Sequence, residues 1–257
     1  MLGTLLGVAS YGGGVLTVFK TDPKSGEIGE KVMEETFKLD KPGYVPDRQE
    51  ASHPHQVVFD DTKMYVPDLG ADLIRVFNTE SYKKETAIEM KPGCGPRHLV
   101  VADNMKKATK KEEKSTLLCV CELSSTVAII ENNKVTGEVP IDTSMAKDAL
   151  KGGAGGAEIV KNGQNVYVSQ RNPDEKKEGN GFIAHFSFKK GELTPLKNYP
   201  LEGKMPRHFE IDNKKMYVML QDQKSMQIFN VKKDGSLDAS PKKVEVGKGG
   251  ACISFAK

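Results

Sequence analysis

Four short segments open alike: HPHQVVFD from His53, GPRHLVVAD from Gly95, GGAEIVKNG from Gly155 and MPRHFEIDN from Met205. Aligned on the apolar runs that follow, they place His55-Gln56, Arg97-His98, Ala157-Glu158 and Arg207-His208 at one level, with His53 just ahead; of the five histidines only His185 lies elsewhere. A second set follows a later apolar run: Asp68 in PDLG, Glu122 in CELS, Arg171 in SQRN and Asp222 in LQDQ. Guanidinium groups are planar, permanently charged and bidentate, so Arg97, Arg171 and Arg207 suit a phosphate or carboxylate and a developing oxyanion. A carboxylate such as Glu122 and an imidazole such as His55 are the groups that activate water or carry a proton near neutrality. Together they point to the opening of an ester or lactone on a small anionic substrate. Taken singly, Asp68 and Asp222 also suit turns, and a lone histidine is often a hydrogen-bonded structural residue.

Other chemistries are less well served. Calcium needs converging oxygen ligands, and the set is dominated by cations, so no metal and no cofactor is expected. A nucleophilic serine would need a GxSxG elbow, which is absent. The glycines around residues 152–156 lack GxGxxG spacing and lead into a strand, which reads as a loop and not a dinucleotide site.

The elements that must carry these residues repeat. An apolar run, a small or polar junction and a second apolar run recur with end points at Phe19, Phe77, Ile130, Phe186 and Phe229, spaced about 43 to 58 residues apart. Each copy is a hairpin. The four segments above supply an earlier strand, and runs such as LTPLKNYPL and KKVEVG supply a later one, giving the four strands of a propeller blade. The expected fold is an all-β propeller of five blades' worth, about 20 strands, forming one domain over residues 1–257. The first copy starts at its second strand, and residues 251–256 have the form of an innermost strand that could close a ring. Antiparallel pairing should bring the junction residues to the heads of the innermost strands, so both sets would meet at one channel mouth.

Composition agrees. With 257 residues, 37% hydrophobic and 28% charged, the chain is neither disordered nor a disulfide scaffold. A net charge of +3 is far from the one-sided field of a nucleic-acid binder, and residues 106–114 (KKATKKEEK) mix both signs and read as a solvated loop. No apolar run is long enough for a membrane span and no signal-peptide pattern stands at the start, so a cytoplasmic location is expected. Cys94, Cys119, Cys121 and Cys252 form no CxxC pair and read as small buried hydrophobes in a reducing compartment.

The series HPHQ, PDLGAD, GPRH, CELS, SQR and PRHF, in this order over nearly the whole chain, resembles the seven-bladed propeller family of 6-phosphogluconolactonases and carboxy-cis,cis-muconate cyclases. The resemblance implies a catalytic cluster of His55, Arg97, Glu122 and Arg171; His53, Gln56, His98, Glu158, Arg207 and His208, gathered at the same mouth by the alignment of the repeats, are expected to line the substrate. It implies metal-independent opening of a sugar lactone or, in the cyclase branch, cycloisomerisation of a muconate. Family members carry two further N-terminal blades, so the chain corresponds to the third to seventh. Five blades could close on themselves, remain an open arc or complete a ring with another chain as an oligomer, and a propeller that had lost catalysis would serve as a binding scaffold.

Overall fold

The computed structural model describes residues 4–105, 114–142, 155–172, 180–238, 241–247 and 250–255. The basic stretch at 106–113 and the glycines before Gly155 lie outside the described residues. All regular structure among them is β. A three-stranded sheet contains β1 (Leu5–Ser10), β2 (Val15–Thr21) and β3 (Ile28–Thr36). Four four-stranded sheets follow. They are β4 (Val58–Asp60) to β7 (Lys84–Glu89) with β5 (Lys63–Asp68) and β6 (Leu73–Asn78), and β8 (Pro96–Met105) to β11 (Lys134–Pro140) with β9 (Lys114–Cys121) and β10 (Thr126–Glu131). Next come β12 (Gly156–Asn162) to β15 (Glu192–Pro200) with β13 (Asn165–Gln170) and β14 (Phe182–Lys189), and β16 (Pro206–Asp212) to β19 (Lys242–Glu245) with β17 (Lys215–Leu220) and β18 (Ser225–Asn230). Strands follow one another in sheet order, which is the meander of a propeller blade, so the fold class is the all-β propeller.

Local chemistry explains the hairpins. Asn132-Asn133 and Asn213-Lys214 both take positive φ at their two turn positions, the backbone that matches the twist of a tight two-residue connection. Alternation then sorts side chains: in β2 Leu16 and Val18 are fully buried while Thr17 and Phe19 are half-buried.

The chain forms two compact units, Met1–Cys121 with Ile130–Thr136, and Glu122–Ile129 with Gly137–Lys257. In the first, Leu16, Val18 and Phe37 pack with Met64, Val66 and Phe77 between neighbouring sheets, and β4 and β5 lie against β8. In the second, Tyr167, Ile183 and Tyr199 pack with Phe209, Val218 and Phe229, and β12 and β13 lie against β16. Inner strands of successive sheets are therefore neighbours within each unit.

One irregularity recurs at the head of every inner strand of the four-stranded sheets. Pro54 bridges Asp68 while Val58 pairs with Tyr65, which leaves one more residue on the inner side than on its partner. The same single surplus separates Pro96↔Cys121 from Leu99↔Cys119, Gly156↔Gln170 from Ile159↔Val168, and Pro206↔Leu220 from His208↔Met219. Each is a one-residue β-bulge, a device that bends the strand and re-aims its side chains.

Asp68 fixes the first of these heads. Its Oδ1 accepts from the His53 N–H (2.8 Å) and the Ala71 N–H (3.2 Å). Its Oδ2 accepts from Ser52 Oγ (2.5 Å) and from Arg75 Nε and Nη2 (3.0 and 2.7 Å). The Arg75 guanidinium in turn lies 4.2 Å from the centre of the Phe37 ring. Backbone bonds from His55 N to Pro67 O and from Leu69 N to His53 O complete the clamp. Gly70 belongs to it as well, because a Cβ there would collide with the Ala51 carbonyl.

Two features differ from the sequence reading. Cys94 and Cys121 form a disulfide with Cα atoms 4.7 Å apart, so the four cysteines are not all free thiols. The cause is register: Cys121 pairs with Pro96, and the turn before Pro96 brings Cys94 alongside. Cys119 is free and buried, and burial pushes its thiol up to about 12. Of residues 251–256, expected to form an innermost strand, 251–255 form no strand; the Ile253 N–H donates to His208 Nδ1 at 3.4 Å and Phe255 packs on Tyr217.

Two outcomes follow for stability. Asp68→Asn leaves the buried Arg75 charge short of its partner and should cost about 3 kcal/mol, a fall of roughly 10 °C in Tm. Asp222→Asn, at an exposed turn, should cost under about 1 kcal/mol; equal costs by thermal melting would refute the hub role. His185 stacks on Tyr167 (centroids 4.7 Å apart), and burial holds its pKa below the ordinary 6.5 although Asp234 pulls it up. The unfolded chain then takes that proton first, so the stability His185 confers above pH 6.5 is lost as pH falls through that value. The Tm gap between wild type and His185→Gln should narrow from pH 7.5 to 5.0.

Candidate active site

In the first unit the bulged heads gather aromatic and imidazole rings. His53 is buried: Nδ1 lies 3.0 Å from the Tyr11 carbonyl oxygen and Nε2 2.9 Å from Glu50 Oε1. Its ring stacks on Tyr11 with centroids 4.3 Å apart and planes 9° apart. Tyr11 meets His55 edge-on at 5.4 Å, and His55 meets His98 edge-on at 5.0 Å. The Glu50 carboxyl is held below the usual carboxylate range, chiefly by its own backbone N–H and further by His53 and Arg48.

Gln56, one residue on, spends its Oε1 on the Leu99 N–H at 2.8 Å. That donor sits where the bulge interrupts the β8 ladder, so Gln56 ties two inner strands together. Arg97, in the same bulge, is only 2% exposed and is the largest of the fully buried side chains. A guanidinium is almost never buried this far without charged or hydrogen-bonding company, which marks the position as costly to build.

The second unit holds two ion-paired sets: Glu122 and Arg171, which follow β9 and β13, and Glu158 and His208, which stand on the inner strands β12 and β16. Glu122 is 2% exposed and its Oε2 lies 3.0 Å from Arg171 Nη2. Arg171 also donates from Nε to the Gly155 carbonyl and from Nη2 to the Gly156 carbonyl, each at 3.2 Å. The glycine is required here: a Cβ on Gly155 would overlap the Arg171 carbonyl and the Gln170 side chain. Gly155 is further anchored by its N–H to Ser125 Oγ.

Glu158, 5% exposed, sits within the β12 bulge. Its Oε1 accepts from the Ile159 N–H, its own N–H donates to Ser169 Oγ, and its Oε2 lies 3.0 Å from His208 Nε2. The Ile253 N–H on Nδ1 leaves the Nε2 nitrogen of His208 to carry the proton toward Glu158. Arg207 is half-buried in the β16 bulge. Asp222 accepts from the Lys204 and Met205 N–H groups, as a turn-shaping residue does.

Every candidate residue named from sequence therefore lies at or beside a bulged strand head. The structure joins His53, His55 and His98 through Tyr11 in one unit, and Glu122 with Arg171 and Glu158 with His208 in the other. Among the described residues no three His, Cys, Asp or Glu side chains gather as a metal set. Tyr11, Glu50 and Ser169 were missed. For Tyr11 a signal existed: counted from the thirteen-residue hairpins GVASYGGGVLTVF and LCVCELSSTVAII, it takes the position that Glu122 takes, and in YVSQR that position is Arg171.

Comparison with known proteins agrees with this architecture. A family model described as "Lactonase, 7-bladed beta-propeller" matches residues 2–255. A probable 6-phosphogluconolactonase of Arthroderma benhamiae is 31% identical over 75% of the chain, which spans 50% of that protein's length. A 6-phosphogluconolactonase of Formosa agariphila is 28% identical over 95% of the chain and 69% of its own length. Among solved structures, a putative 6-phosphogluconolactonase from Bacteroides fragilis superposes with a TM-score of 0.78 at 24% identity, covering 100% of this chain and 72% of that one. One from Bacteroides uniformis gives 0.80 at 23% identity over the same shares, a likeness of fold. On the family match, which runs through all the strand heads just described, the chain belongs to the lactonase family of β-propellers.

Proposed function

We propose that the chain is a lactone-opening hydrolase whose substrate is 6-phosphogluconolactone and whose product is 6-phosphogluconate. Water adds to the lactone carbonyl, the ring C–O bond breaks and the ring oxygen leaves with a proton as a hydroxyl. The observation that carries the reading is the burial of Glu122 with Arg171 at 3.0 Å, on a scaffold of two glycine carbonyls. The pair sets a guanidinium donor beside a carboxylate, the two kinds of group that lactone opening uses. Family membership and the names of the two curated relatives support the same reaction class.

In this reading arginines meet the two anionic features of the reaction. Arg97, Arg171 and Arg207 hold the phosphate and the oxyanion that forms on the carbonyl oxygen, where fixed donors act without having to reorganise. Arg171 is oriented by its carbonyl contacts before substrate arrives, which is what such stabilisation requires. His55 or Glu122 takes the proton from water. An imidazole does this well at neutral pH, whereas a carboxylate paired to a guanidinium is a weaker base.

The purified chain should open freshly made 6-phosphogluconolactone faster than the spontaneous rate, and Arg97→Ala should lower kcat about 100-fold or more. No excess rate from soluble protein, or no loss in both Arg97→Ala and Glu122→Gln, refutes the assignment. Gly155→Ala should lower kcat at least about tenfold by displacing Arg171, as expected when a positioned group shifts by an ångström. Gly163→Ala, at a turn with positive φ and nothing within 4 Å of the added carbon, should cost some stability and leave the rate unchanged.

A further inference from the structure

Tyr11 belongs to none of the motifs that bear charge, yet three observations converge on it. Its ring covers the face of His53, with centroids 4.3 Å apart and planes 9° apart. Its carbonyl oxygen receives His53 Nδ1 at 3.0 Å. Its ring also meets His55 at 5.4 Å and 78°, and His55 then meets His98 at 5.0 Å and 72°.

Hydrogen bonds hold this stack in place. Nδ1 of His53 lies 3.0 Å from the Tyr11 carbonyl oxygen and Nε2 lies 2.9 Å from Glu50 Oε1, so the ring is held from both of its nitrogens. Both ring nitrogens of His53 are thus engaged within the protein. Asp68 fixes the His53 backbone through its N–H, so the ring that backs Tyr11 is anchored at both ends. An aromatic edge packed against an imidazole prefers a perpendicular arrangement, and the 78° and 72° angles are of that kind. The imidazole of His55 is thereby turned by a wall that is itself held.

We propose that Tyr11 is a positioning residue of the site: its ring, clamped on His53, sets the orientation of the His55 imidazole and, through it, of His98. This rests on the lactonase reading for its kinetic consequences, though not for its geometry. The repeat position it shares with Glu122 and Arg171 supports the assignment, since the same place in other hairpins carries residues of the candidate site. The first copy fills that place with an aromatic ring whose work is steric.

The test compares Tyr11→Ala with Tyr11→Phe, which keeps the ring and the backbone carbonyl. With 6-phosphogluconolactone, Tyr11→Ala should lower kcat tenfold or more and leave KM within threefold, while Tyr11→Phe stays within twofold of wild type in both. A smaller loss in Tyr11→Ala, or an equal loss in Tyr11→Phe, overturns the proposal. Ring signals of His55 in a histidine NMR spectrum, identified through His55→Gln, give a readout that needs no turnover. They should move in Tyr11→Ala and stay in place in Tyr11→Phe; any other pattern overturns the proposal. Absence of turnover in the wild type would end the lactonase reading while the NMR comparison still decides the role of Tyr11. Should Tyr11→Ala fail to fold, Tyr11→Leu is read in its place with the same expected outcomes.

Discussion

A single extra residue at the head of each inner strand is the constraint on which the candidate site depends. A regular strand sends neighbouring side chains to opposite faces, so a dipeptide such as Arg97-His98 or Arg207-His208 would present one member to the site and bury the other in the sheet. The bulge breaks that alternation where both are wanted. It also interrupts the ladder, and the gap must be filled. Gln56 fills it at Leu99, Ser169 at Glu158, and the Pro67 carbonyl at His55. Polar side chains near these heads are therefore of two kinds, those that repair the backbone and those left for chemistry.

The division of labour between charged residues follows from it. Asp68, fully buried and receiving five donors, is spent on structure, and Arg75 with it. Arg171 is intermediate: it donates to two carbonyls and also pairs with Glu122. Such an arginine is oriented at no cost when substrate binds, which is the sense in which a scaffold contributes to a rate. The glycine at 155 is as much a part of this arrangement as the guanidinium, although it has no side chain.

The fold was legible in the sequence because the repeat unit is rigid: thirteen-residue hairpins ending at Phe19, Phe77, Ile130 and Phe229 leave little freedom in the assignment. The level of the candidate residues was legible for the same reason. The bulges were not, since they are relations between two strands and become visible only when Pro96 is seen opposite Cys121 and Leu99 opposite Cys119. Tyr11 was less legible because a phenol is neutral near pH 7, and the first hairpin carries Ser-Tyr-Gly where others carry the charges of Asp, Glu or Arg. The commitment of His53 to Glu50 depends on a loop conformation that no spacing encodes.

The bond between Cys94 and Cys121 gives the chain a dependence of another kind. It ties residues 27 apart in sequence, and by chain-entropy reasoning a covalent loop of that length disfavours the unfolded ensemble by roughly 3 to 4 kcal/mol. That sum is a large part of what an ordinary domain has in reserve. Arg97 lies three residues from one sulfur and Glu122 is joined directly to the other cysteine. Whether electrons are available where this protein folds thus enters its thermodynamics, and the thiol chemistry of the surroundings becomes a variable of the folded state alongside temperature and pH.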